Sequence, residues 1–241
     1  MKKSMMMAAV LLAGAAMFSP ASAVTINVGD VGASGTTSLQ GFVDVGQTTQ
    51  AISGLTGSLF LQYNGVTNGG LTWNFGYNVT NTSSGNTTAS SIGAFGLATT
   101  PNATGAASTG LYDLAILNPQ FPNVGGHGAG IEVCFSDGNN SCNGNGTTLT
   151  EGQSAAGTFS LTFGSQLSSL TLDTAYLRFQ GINSTSPHLV GDSGVANNTN
   201  VVVNPTASVP GPIVGAGIPG IIAALGLAGF GWRRRRRSMF A

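Results

Sequence analysis

Two cysteines, two histidines, eight acids and one isolated arginine are the residues of this chain with the means to do chemistry. Cys134 and Cys142 are the only cysteines, and seven residues separate them. In an exported chain such a pair reads as a disulfide closing one hairpin-like loop, worth about 2–3 kcal/mol. Zinc is the competing reading, but two thiols are half a site and neither histidine stands at ligand spacing from them. Spanning the second cysteine is the oxygen-rich run Asp137-Gly138-Asn139-Asn140-Ser141-Cys142-Asn143, which could hold calcium. It lacks the closing bidentate Glu of a calcium loop and reads as a turn. His127 sits among glycines, Gly125-Gly126-His127-Gly128-Ala129-Gly130, and is the histidine a hydrolase would use. No Gly-x-Ser-x-Gly elbow accompanies it, and His188 follows Pro187 in a polar stretch. The expectation is therefore no catalytic residue, no cofactor and no metal.

The charges are segregated. Of the eight basic residues, Lys2, Lys3 and Arg233 to Arg237 lie near the two ends, and only Arg178 falls between Val24 and Ser208. All eight acids (Asp30, Asp44, Asp113, Glu132, Asp137, Glu151, Asp173, Asp192) fall in that middle region, which carries −7 from one arginine against eight carboxylates. Such a surface excludes nucleic acid and anionic headgroups as partners, since both need a basic face. Eight Asn-x-Ser/Thr triplets, among them those at Asn78 and Asn81, follow from the composition.

The elements that must position these residues are strands. Leu59, Leu61 and Tyr63 alternate with polar residues, as do Leu71, Trp73, Phe75, Tyr77 and Val79, then Ile131, Val133 and Phe135, then Phe159, Leu161 and Phe163. Leu170 and Leu172 continue the pattern, and the phase then shifts to Leu177 and Phe179. Period two with Thr, Val and aromatics predicts half-buried strands, separated here by Asn- and Gly-rich turns. The expected fold is all-β, an antiparallel β-sandwich or jelly roll over 24–194 in which two apolar sheet faces meet. Residues 99–109 read as a small-residue loop. Residues 195–208 read as a linker that holds the domain up to about 45 Å from the segment beginning at Val209.

Beyond that linker and a short Pro-containing motif lies an apolar run from Ile213 to Trp232, 20 positions without a charge, closed by Arg233, Arg234, Arg235, Arg236 and Arg237. A bilayer core needs about 20 apolar helical residues, and a basic block stays on the cytoplasmic side. The run predicts a transmembrane helix with Trp232 at the interface and the preceding domain outside. Ala216, Gly220, Ala224 and Ala228 form a small-residue stripe on it, suited to close approach of a second helix. At the other end, Met1-Lys2-Lys3, an apolar stretch from Met5 to Phe18 and Ala21-Ser22-Ala23 predict a signal peptide over 1–23, cleaved before Val24.

Val209-Pro210-Gly211-Pro212, the short span and the arginine cluster together resemble the PEP-CTERM sorting signal. The Glu usual between the two prolines is Gly211 here. The resemblance implies handling by exosortase, a membrane-embedded cysteine protease-transpeptidase of Gram-negative bacteria, at the inner membrane, and delivery to a surface or exopolysaccharide matrix. The blocks Asn118-Pro119-Gln120-Phe121-Pro122-Asn123-Val124-Gly125, Ile131-Glu132-Val133-Cys134-Phe135, Glu151-Gly152-Gln153-Ser154 and Leu170-Thr171-Leu172-Asp173 resemble the cistern family of PEP-CTERM proteins. That likeness implies architecture and sorting, not a reaction. The expectation is an exported, anchored, processed surface protein that is not an enzyme. The alternatives are a carbohydrate-binding or adhesive module presenting Trp73, Phe75 and Tyr77, and a secreted hydrolase using His127.

Overall fold

The computed structural model describes residues 23–138, 141–143 and 149–205. The signal peptide up to Ser22, the end of the expected linker (206–208) and the whole segment 209–237 lie outside the described residues, so the expected membrane helix and sorting motif do too. Among the described residues there is no α-helix, and hence none long and apolar enough to cross a membrane.

The described chain forms eleven strands: β1 (Val24–Asn27), β2 (Ser34–Val45), β3 (Thr48–Thr67), β4 (Thr72–Asn81), β5 (Thr87–Thr100), β6 (Gly105–Ser108), β7 (Leu114–Leu117), β8 (Val133–Ser136), β9 (Ser154–Thr162), β10 (Ser169–Thr185) and β11 (His188–Asn198). They are joined into one antiparallel sheet in the order β6-β9-β4-β3-β2-β11-β10-β5-β8-β7, with β1 added to β10. The end strands β6 and β7 come next to each other, so the sheet wraps into a nearly closed barrel. The all-β antiparallel expectation holds. The two apolar layers, however, are the near and far walls of one sheet rather than two separate sheets.

Bends in the long strands make the wrap possible. Register shifts interrupt β2–β3 after Gln40, β3–β4 after Tyr63 and β10–β5 after Leu172. A bulge adds twist and bends the strand that carries it. At Gly54 the backbone takes φ +83°, a left-handed conformation that side chains disfavour, and its carbonyl accepts from Ser84 N–H at 2.8 Å.

β4 alternates without a fault: Trp73, Phe75, Tyr77, Val79 and Asn81 are buried, and the residues between them are half-exposed. Its apolar face meets Leu59, Leu61 and Tyr63 of β3, Phe159 and Leu161 of β9, and the far wall of Phe95, Leu97, Phe135, Leu177 and Phe179. Phe95 is the hub. Its ring lies 4.8 Å from Tyr77, 4.7 Å from Phe135, 5.5 Å from Tyr112 and 6.1 Å from Phe159. Tyr112 is buried, and its hydroxyl donates to Ile92 O at 2.9 Å; burial raises its pKa well above the usual phenol value. Such aromatic pairs add about 0.5–1.5 kcal/mol each beyond area burial.

Two sequence boundaries move. Residues 99–109 are not one loop: β5 runs to Thr100 and β6 begins at Gly105, because Ala106 turns inward against the core. The expected linker does not begin at Val195. Val195 and Ala196 are buried in β11, Val201 and Val203 are buried beyond it, and Asn204 bridges to Ser34. The folded unit therefore extends to Asn204.

Candidate functional site

The outer faces of the wrap differ. Over β3, β4 and β9 most outer side chains are amides and hydroxyls, with Phe60 and Ala156 among them. On the other side of the wrap, an apolar patch of the outer face built from Phe42 of β2, Val195 of β11, Tyr176 of β10, Ala94 and Ala98 of β5 and Cys134 of β8 is covered by the segment 118–132. Its small residues Ala94, Gly96 and Ala98 leave room for that cover, and Phe121, Val124 and Ile131 pack there against Ala94, Cys134, Cys142, Tyr176 and Val195. Ile131 thus belongs to this outer cluster, while Val133 and Phe135, in phase with it in the sequence, enter the main core.

Three contacts hold the covering segment. Glu132 Oε2 accepts from Thr99 N at 3.0 Å and Thr99 Oγ1 at 2.8 Å. Tyr176 hydroxyl donates to Ala129 O at 2.8 Å. The ring of His127 stacks on Phe42 with centroids 3.7 Å apart, and its Nδ1 is 2.7 Å from Asn197 Oδ1. An amide oxygen can only accept, so this contact places the imidazole proton on Nδ1. The glycines around His127 shape its loop: Val124 and His127 exchange both backbone hydrogen bonds at 2.9 Å. The residue that a hydrolase would use is therefore a peg between a ring and an amide, neither of which is a nucleophile or a base. His127→Ala is expected to leave global unfolding within about 1 kcal/mol while proteolysis inside 118–132 accelerates roughly tenfold. Limited proteolysis with a glycine- and aromatic-tolerant protease measures this; an unchanged rate means the peg does not hold the segment.

The Cys134–Cys142 disulfide is present, and both residues are buried against this cluster. Cys134 stands on β8 one residue before the buried Phe135, so the bridge ties the loop beyond β8 back onto the outer face. Replacing both cysteines by Ala is expected to cost about 2–3 kcal/mol. Chemical denaturation of the oxidised and double-variant proteins measures it; equal midpoints would mean that the loop holds itself. Asp137 and Asn143 of the oxygen-rich run are described, whereas Asn139 and Asn140 are not. His188 is exposed at the start of β11.

Sequence reasoning counted Arg178 only as a charge and overlooked Ser136, Phe42 and Asn197. Arg178 is buried, with Nη1 donating to Gly194 O at 3.0 Å. Burial pulls its pKa down to about 10, so it stays charged at neutral pH. The available signal was its place between Leu177 and Phe179: a charge flanked by two core residues must leave through the opposite face. Trp73, Phe75 and Tyr77, expected as an alternative sugar-binding surface, are instead core. Over β4 and β9, Asn64, Asn74, Ser108, Thr109, Thr158 and Ser160, together with Phe75, Ala107 and Phe159, line an open cleft of about 330 Å³. No family model matches the chain, and no curated protein or solved structure matches it either.

Proposed function

We propose that the chain is an exported surface protein whose folded domain performs no catalysis. Residues 213–232 hold it in the inner membrane of a Gram-negative bacterium. An exosortase-like enzyme then acts near Val209-Pro210-Gly211-Pro212 and releases the domain to the cell surface or an exopolysaccharide matrix. The observation that carries this reading is the separation of charge. Every exposed ionic side chain of the folded domain is an acid, because its one arginine is buried, while five arginines follow the apolar run as a block. A basic block beside an apolar span orients it with the arginines inside. A disulfide in the domain fits the oxidising side of that membrane. The test is a pair of reporter fusions: an export-dependent phosphatase after residue 208 is active and one after Arg237 is inactive. The reverse pattern, or two inactive fusions with full expression, removes the proposal.

A second reading, an adhesive module for neutral glycans, is favoured by one feature. The cleft over β4 and β9 carries no charge: beside Phe75, Ala107 and Phe159 it is lined by amides and hydroxyls, which pair with sugar hydroxyls without a charge to desolvate. Calorimetric titration with neutral and with uronate-containing oligosaccharides decides it: heat from the neutral set alone, lost in Asn74→Leu, supports the cleft, and no heat from either removes it.

A further inference from the structure

Arg178 is the single basic residue of the folded domain, and it is an orphan. On β10 its neighbours Leu177 and Phe179 enter the main core, so its side chain leaves through the outer face, where only 7% of it is exposed. Of its five N–H donors, Nη1 reaches Gly194 O, and Nε has no partner. Burial is the only influence acting on its guanidinium; no carboxylate offsets it.

A second orphan stands in the same row. Arg178 is opposite Ala94 of β5, and Ala94 is opposite Ser136 of β8. Residues directly opposite across antiparallel strands share one face, so the three side chains line up. Ser136 is fully buried and its Oγ has no partner. Two strand spacings separate Arg178 from Ser136, roughly 10 Å between Cα atoms. Ala94, the residue between them in the row, is itself buried. The next row along, Tyr176, Gly96 and Cys134, carries the disulfide.

We propose that this row is a binding site for an oxyanion, a carboxylate or phosphate-type group that accepts from Arg178 Nε and Ser136 Oγ. A buried charge without a partner is strongly destabilising, and an arginine cannot discharge itself at neutral pH. The Nε edge of a guanidinium presents parallel donors that match two oxygens of one anion. The hydroxyl across Ala94 supplies a third donor from a different strand. One anion thereby satisfies both orphans. The site does not depend on membrane sorting and stands or falls apart from it.

The experiment uses the full chain in detergent micelles. Arginine Nε–H resonances are followed by ¹⁵N NMR, and Tm by circular dichroism, with sodium phosphate, sodium acetate and, at equal ionic strength, sodium chloride. Phosphate or acetate at about ten times Kd moves one slowly exchanging Nε–H resonance and raises Tm by at least about 3 °C. Chloride does neither. A response to phosphate alone assigns a tetrahedral anion, and one to acetate as well assigns a carboxylate. Arg178→Met, an apolar replacement of similar length, abolishes both effects, and Ser136→Ala weakens apparent affinity about fivefold or more. The proposal is overturned by no response in the unaltered chain, by an equal response to chloride, or by an undiminished response in Arg178→Met. Should that variant fail to fold, an undiminished response in Ser136→Ala overturns it.

Discussion

Phe95→Ala is expected to lower the unfolding free energy by about 4 kcal/mol, as truncation of a buried aromatic does. Phe95 is fully buried and faces four other aromatic rings, from β4, β8, β9 and the segment after β6. It therefore joins the near wall of the wrap to the far wall. A cavity there is bounded by aromatic rings, which are rigid and fill a void less readily than aliphatic chains. Against a total of about 5–15 kcal/mol for a protein, that loss is a large share. In a domain of this size it corresponds to a fall in Tm of roughly 8–16 °C. Denaturant melts of Phe95→Ala and Phe95→Leu measure it, and Leu should recover about half of the loss. A loss below about 1 kcal/mol for Ala would mean that the two walls are not held together through this ring.

The second large effect is expected at Asn81, and it is polar. Asn81 closes β4 and is fully buried. Its Nδ2 donates to Leu149 O at 3.1 Å, Ser90 Oγ at 3.2 Å and Ser90 O at 3.3 Å, and its Oδ1 accepts from Ser83 N at 3.1 Å. One amide thus ties the turn after β4 to β5 and to the distant residue Leu149. Asn81→Leu keeps the volume and leaves Ser83 N–H and Ser90 Oγ buried without the amide that pairs them, while Leu149 O keeps only the Ile92 N–H at 3.0 Å. Each orphaned group costs about 1–3 kcal/mol, so the variant should lose about 3 kcal/mol or more. Asn78→Leu, on the half-exposed outer face of the same strand, should lose less than about 1 kcal/mol. Equal losses for the two would contradict the role given to Asn81. The same burial rules out Asn81 as a sugar acceptor, although its triplet has the acceptor pattern.

How legible these features were depends on how many faces of each strand meet protein. β4 and β9 have one solvated face, so period two stands out and Trp73 to Val79 could be placed from the sequence. β5 is buried on both faces, because the 118–132 segment covers the outer one. Alternation of polar and apolar residues is lost there. What remains is alternation of size, with Phe95 and Leu97 inward and Ala94, Gly96 and Ala98 outward. The phase shift between Leu172 and Leu177 was visible, and it is the bulge where β10 slips against β5. β11 was hidden by its asparagines: Asn197 and Asn198 resemble a linker but hold His127 and Ser38 O by hydrogen bonds.

The site was legible in part for the same reason. Two cysteines in a chain expected to be exported imply a bridge from redox chemistry alone, and the bridge is there. His127 invited a catalytic reading because glycines surround it, yet those glycines shape a loop that presses the ring onto Phe42. Arg178 entered the sequence reading only as one unit of charge. Its interest comes from burial and from missing partners, and neither can be counted from composition.

The central claim is that the tail sorts and the domain does not catalyse. Intact-mass and peptide mass spectrometry of the chain, from cells with and without the exosortase-like enzyme, tests it most directly. The account predicts a C-terminus at or near Val209 to Pro212 when the enzyme is present, and Arg233 to Arg237 retained when it is absent. The same arginine-bearing terminus in both samples would contradict it.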